Sequence, residues 1–211
     1  PPTALRAYPA MKTIFNSPQR VLTRTTAFIA ATIFGLSFGM SPLAHGALIF
    51  SQYVETNSGT TPKAIEIWNT GDETIDFSLN TLVVLKGTNG GSLSSDFELT
   101  TGTLASGEVM VIGTSDVGTY LTDTFGAGVV QFYTKGFTFN GDDALQITLG
   151  GIVQDTFGLP GTDPGTSWDG DGVSTKNQNI QLKEGITDGD TDGWTDPSTR
   201  FETVSTSPTG T

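Results

Sequence analysis

The residues of this chain best suited to chemistry lie between 185 and 196, where GITDGDTDGWTD gathers Asp188, Asp190, Asp192 and Asp196. Read as a calcium loop, Asp188, Asp190 and Asp192 take positions one, three and five, and Gly193 takes the sixth, where the chain must turn sharply. Trp194 would offer its backbone carbonyl next, and Asp196 the ninth-position contact. Thr199 stands at the twelfth position, where a bidentate Glu completes such a loop. The expected site is therefore weak, in the roughly 10⁻⁴ to 10⁻³ M range of extracellular modules, and calcium is the one cofactor the sequence suggests. The alternative is an acidic turn, because Asp and Gly make turns through local hydrogen bonds alone.

Other candidates are weaker. DPGTSWDGDG, residues 163–172, holds Asp163, Asp169 and Asp171, but Pro164 and Gly165 fit a turn and Trp168 fits packing at the edge of a sheet. Asp142 and Asp143 are adjacent, so on a strand they point to opposite faces and cannot share acid/base work. Trp68, Trp168 and Trp194 could line a sugar platform or anchor a core. The chain has no Cys, and its single His is His45. Beyond that residue, Ser-His-Asp and Cys-His nucleophiles, His acid/base chemistry and ordinary zinc sites are excluded. Carboxylates are left as the strong ligands and acid/base groups, and oxygen ligands suit calcium or magnesium.

These residues need elements to position them, and the first 46 residues do not supply any. From Met11, the basic residues Lys12, Arg20 and Arg24 precede an apolar run from Thr26 to about Phe38, followed by small residues around Ala44 and Gly46. That order predicts a helical signal peptide over 11–46, removed on export. Residues 1–10 are expected to be an upstream extension without structure. Cleavage after Gly46 would leave six basic against 22 acidic side chains, a net −16, since Arg6, Lys12, Arg20 and Arg24 all lie ahead of it. Nucleic-acid affinity comes largely from Lys and Arg on phosphates, so direct nucleic-acid binding is not expected. No later apolar run reaches membrane-spanning length.

From residue 47 the pattern is all-β. ALIFSQYVE (47–55), AIEIWN (64–69), TLVVLKG (81–87), GEVMVIG (107–113) and VVQFYTK (129–135) are short β-branched and aromatic runs separated by Gly, Asn, Asp, Ser and Thr. Such punctuation reads as a sandwich or barrel. ALQITLGGIVQDTF predicts a hairpin through Gly150 and Gly151, since Gly adopts the positive φ that two-residue turns require. Its expected pairs are Leu149 with Ile152, Ile147 with Gln154 and Leu145 with Thr156. No helical periodicity of 11 residues is evident, and GTNGGSLSS and GTSDVGTY read as surface loops.

LIFSQYVE, then KAIEIWNTGDETIDFSLNTL, FNGDDALQITLGGIVQDTFG and GTDPGTSWDGDGVSTKNQNIQLK, together resemble the lamin-tail domain of secreted bacterial proteins, from about Leu48 to Glu202. The resemblance implies an immunoglobulin-like β-sandwich, with Glu66, Trp68, Asn69 and Gly71 in an early strand and turn, and Gly141, Asp142 and Asp143 leading into the central hairpin. It implies no shared catalytic residues. Such domains occur ahead of extracellular nuclease domains and in cell-surface proteins. The expected organisation is a sandwich over 47–203 and a flexible tail over 204–211. The expected protein is non-catalytic, secreted, periplasmic or at the cell surface, and a monomer with a protein or polysaccharide partner. Two alternatives stand beside it: the accessory part of a secreted nuclease, and a calcium-dependent adhesive or carbohydrate-binding module.

Overall fold

The computed structural model describes residues 47–56 and 61–208. The expected signal peptide, residues 11–46, and residues 1–10 lie outside them. Among the described residues, fourteen strands and one α-helix form two main sheets and two small ribbons.

The larger sheet has the order β14-β13-β1-β2-β7-β8, built from β1 (Leu48–Val54), β2 (Ala64–Asn69), β7 (Val109–Gly113), β8 (Gln131–Thr134), β13 (Gln178–Leu182) and β14 (Phe201–Thr206). The smaller has the order β10-β9-β4-β5, from β4 (Leu82–Gly87), β5 (Ser94–Leu99), β9 (Ala144–Leu149) and β10 (Ile152–Phe157). Between the two sheets lies one core. Leu48, Phe50, Ile65, Ile67, Met110 and Ile112 come from one side, and Leu82, Val84, Leu145, Ile147, Leu149 and Phe157 from the other. The arrangement is an all-β sandwich. One ribbon pairs β3 (Ile75–Asp76) with β6 (Thr103–Leu104), and the other pairs β11 (Asp169–Gly170) with β12 (Val173–Ser174).

Two bulges decide which side chains face the core. In β1 the register against β2 shifts between Phe50 and Gln52, so Leu48 and Phe50 point inward before the shift and Tyr53 after it. An extra residue reverses the alternation of a strand, and here it carries both aromatics into one core. Gly150 and Gly151, with φ of 57° and 81°, make the expected hairpin between β9 and β10, and Leu149 does face Ile152. A shift between Val153 and Asp155 then displaces the rest: Ile147 faces Asp155 and Leu145 faces Phe157, in place of the expected Gln154 and Thr156. That bulge turns Phe157 into the core and Asp155 inward beside it.

The stretch expected to be a loop at GTSDVGTY is instead the start of α1, Ser115–Phe125. It provides the crossover that parallel β7 and β8 require. Val117, Tyr120 and Leu121 pack with Val54, Ala64 and Val111 on the outer face of the larger sheet. The helix hides in sequence because Val, Thr, Gly and Tyr are indifferent helix formers. Its Gly118 is there for space, since a Cβ would come 2.4 Å from the Phe132 ring. In GTNGGSLSS the last two residues open β5. The final strand continues to Thr206, past the expected sandwich boundary at residue 203. Among the described residues no helix is long and apolar enough to cross a membrane.

Candidate functional site

The acidic stretch lies along β10. Thr156 N–H donates to the Asp190 carbonyl (2.8 Å), Thr156 Oγ1 to the Thr191 carbonyl (3.2 Å), and Trp194 N–H to the Gly158 carbonyl (3.1 Å). The loop thereby satisfies β10 backbone groups, as edge protection requires. Gly193 sits so close that a Cβ would lie 2.3 Å from the Gly158 oxygen, and its φ is +80°. Packing against β10 is thus enough to require glycine there.

The carboxylates of the stretch go to different tasks. Asp190 Oδ1 accepts from the backbone N–H of Asp192 (3.1 Å) and Gly193 (2.9 Å), closing the turn on itself. Asp196 Oδ1 accepts from Ser198 N–H (2.8 Å) and Ser198 Oγ (2.7 Å), capping the 3₁₀ turn Pro197–Thr199. The Trp194 ring is buried, 4.8 Å from Phe157 and 6.4 Å from Trp168 between centroids. Asp188 and Asp192 are exposed, and the Asp188 carbonyl accepts from Arg200 Nη2 (2.8 Å). Among the described residues no group of three or more acidic side chains is placed to hold a metal ion.

Three of the stretch's acids, Asp188, Asp190 and Asp192, line an open groove of about 530 Å³ together with Thr199 and Arg200. Behind it lies Asp155, 1% exposed. Its Oδ2 accepts from Phe50 N–H (2.8 Å) across the sandwich, and its Oδ1 accepts from Asp190 N–H (2.7 Å). Arg200 Nη2 stands 3.6 Å away. Burial lifts this carboxyl to about 6, against the opposing pull of Arg200 and of the backbone donors. One side chain therefore ties β1, β10, the acidic loop and the start of β14 together. The sequence signals the hairpin, and only the bulge between Val153 and Asp155 turns Asp155 inward.

The other candidates are also committed to the fold. Asp143 is buried and accepts from Asn89 N–H (3.0 Å) and Asn140 N–H (3.1 Å), with its carboxyl raised by burial. Asp142 is buried beside it with Oδ1 unpaired. Asp163 Oδ1 accepts from Gly165 N–H (2.8 Å), Asp169 Oδ2 from Ser167 Oγ (2.6 Å), and Asp171 sits at the β11–β12 turn with φ of 42°. Trp168 is buried in the core, while Trp68 is half-buried and donates to the Gly107 carbonyl (3.2 Å). Sequence reasoning missed two further buried acids. Glu55 pairs with Lys63 at 2.9 Å and accepts from Asn177 N–H at 2.6 Å, burial raising its carboxyl. Glu66 accepts from Ser51 Oγ at 2.7 Å, and burial lifts it to about 7.

Compared with known proteins, the chain matches no family model and no curated protein. Function is therefore read from the residues and their geometry.

Proposed function

We infer that this is an exported, non-catalytic β-sandwich of lamin-tail type, acting as a structural or interaction module outside the cytoplasm toward a protein or polysaccharide partner. The observation that carries this reading is the use made of its buried acids. Beyond residue 46 carboxylates are the strong acid/base groups available, and Glu55, Asp143 and Asp155 each accept backbone N–H groups from segments distant in sequence. A carboxylate held in that way fastens chain segments and is not free to move protons for a substrate. The surplus of acid over base among residues 47–211 disfavours nucleic acid as a direct partner. The all-β sandwich agrees with the resemblance at the level of architecture, and the basic, apolar and small-residue zones before Ala47 support export.

The test is expression in a secreting host. The recovered protein should begin near Ala47 by intact mass, and should leave plasmid DNA uncut with magnesium or calcium present. A soluble product retaining residues 11–46 would contradict export. Nicking that disappears when Asp residues are substituted would contradict the absence of catalysis.

A further inference from the structure

Among the described residues the two main sheets end in four edge strands, β14 and β8 in the larger and β10 and β5 in the smaller. An open edge is a template for a further strand, and a bulge or a charged side chain on it works against such pairing. Three of the four edges carry both. Asp96 of β5 is left unmatched between the pairs Val84–Phe97 and Leu85–Ser95, Gln154 of β10 between Val153–Thr148 and Asp155–Ile147, and Val204 of β14 between Asn179–Ser205 and Ile180–Thr203. Their charges are Asp96 and Glu98 on β5, Asp155 on β10 and Glu202 on β14. The acidic loop covers β10 as well.

β8 has neither device. Its register with β7 runs unbroken from Met110–Gln131 to Gly113–Thr134, and among the described residues it pairs with no other strand. The run VVQFYT, residues 129–134, holds no charge, and Val129 is 61% exposed. Lys135 N–H donates to the Gly113 carbonyl (2.7 Å). Backbone groups alternate in direction along a strand, so Gln131 and Tyr133 also face β7, while the N–H and C=O groups of Phe132 and Thr134 point away from it. The elements beside this edge are acidic. α1, packed near Phe132, has Asp116 and Asp123 and no base. β5, whose Phe97 meets Tyr133 at 6.1 Å between ring centroids, has Asp96 and Glu98 and no base. Lys135, next to the strand, is held by Asp96 at 2.9 Å.

We propose, on the interaction-module reading above, that the outer edge of β8 docks an extended partner polypeptide, β-branched along its length with Lys or Arg at its ends, which adds as a seventh strand of the larger sheet. Backbone hydrogen bonds to Phe132 and Thr134 give the affinity, and the acids of α1 and β5 select the basic ends. A second copy of this chain fits the edge less well, because it brings the same acidic surplus.

The experiment uses the full chain and a synthetic peptide, Lys-Lys-Val-Thr-Val-Thr-Val-Lys-Lys, with hydrogen exchange read at single amides. Saturating peptide should slow exchange at Phe132 and Thr134 roughly tenfold and leave the β5 amides unchanged. Thr134→Pro removes an outward N–H at a position where an edge strand tolerates proline, and should weaken binding about fivefold. Val129→Lys, a change at an exposed side chain, should also weaken it by repelling the lysines. The same peptide with Glu in place of Lys should not bind. Unchanged exchange at β8, equal binding of the two peptides, or full affinity in both variants would overturn the proposal. So would slow exchange at β8 without peptide together with a doubled mass in solution, which would give the edge to a second copy. Saturable binding at another surface would sink the edge and leave the module reading standing, whereas plasmid cutting by the protein would do the reverse.

Discussion

Replacing Asp155 with Ala removes the acceptor for Phe50 N–H and Asp190 N–H and the partner of Arg200. Two buried N–H groups left unpaired cost about 1–3 kcal/mol each. Against that, the parent bears the penalty of holding a charge where the carboxyl is raised from 3.8 to about 6. At about 1.4 kcal/mol per pKa unit, this penalty is roughly 3 kcal/mol at neutral pH. With two N–H groups at about 2 kcal/mol each set against that penalty, the net cost of Asp155→Ala at about pH 7.5 is small, about 1 kcal/mol. A group raised in the folded state contributes stability that is fully present below its unfolded pKa and lost as pH rises through its folded pKa. The substitution should thus cost more in acid, by about 1.4 kcal/mol already at about pH 5, a pH still above the isoelectric point near 4.2. Urea unfolding followed by tryptophan fluorescence at the two pH values measures both numbers. If the Arg200 ion pair dominated instead of burial, the cost would be larger at the higher pH, and that result would refute the reasoning.

Gly193→Ala places a Cβ 2.3 Å from the Gly158 carbonyl at a φ of +80°, so the midpoint of urea unfolding should fall by the equivalent of roughly 2–3 kcal/mol. A change under half of that would show that the loop can lift from β10 at little cost. Lys63→Met strands Glu55 in a site where both partners are 1% exposed, and should destabilise by about 3–5 kcal/mol. Adding Glu55→Gln should recover a large part of that loss in a double-mutant cycle, and full additivity would show that the pair is not coupled.

The strands were legible where β-branched and aromatic residues cluster: AIEIWN is β2 to the residue, and β1, β4, β7 and β8 fall inside the runs expected for them. α1 was not, because its apolar positions Val117, Tyr120, Leu121 and Phe125 are spaced for a helix but set among residues of weak helix propensity. The hairpin turn was readable from Gly150 and Gly151, but its register was not. A bulge is chosen by packing on both sheets, and nothing local in IVQDTF announces that Asp155 will reach Phe50, 105 residues away. The acidic loop shows the same divide. Its Asp and Gly spacing suits either an ion or a turn, and the choice depends on Thr156 and Gly158, which lie in a different part of the sequence.

The central claim is that the carboxylates of this protein hold its backbone together, the acidic loop included. Calcium titration of the amide spectrum, followed at Asp190, Asp192 and Gly193, tests it most directly. The account predicts only small, non-saturating shifts up to several millimolar calcium, the same in Asp188→Asn and Asp192→Asn as in the parent, because Asp190 Oδ1 stays on the Asp192 and Gly193 N–H groups. Saturable shifts at those amides with a dissociation constant in the roughly 10⁻⁴ to 10⁻³ M range, abolished by either substitution, would contradict it and make the loop a calcium site.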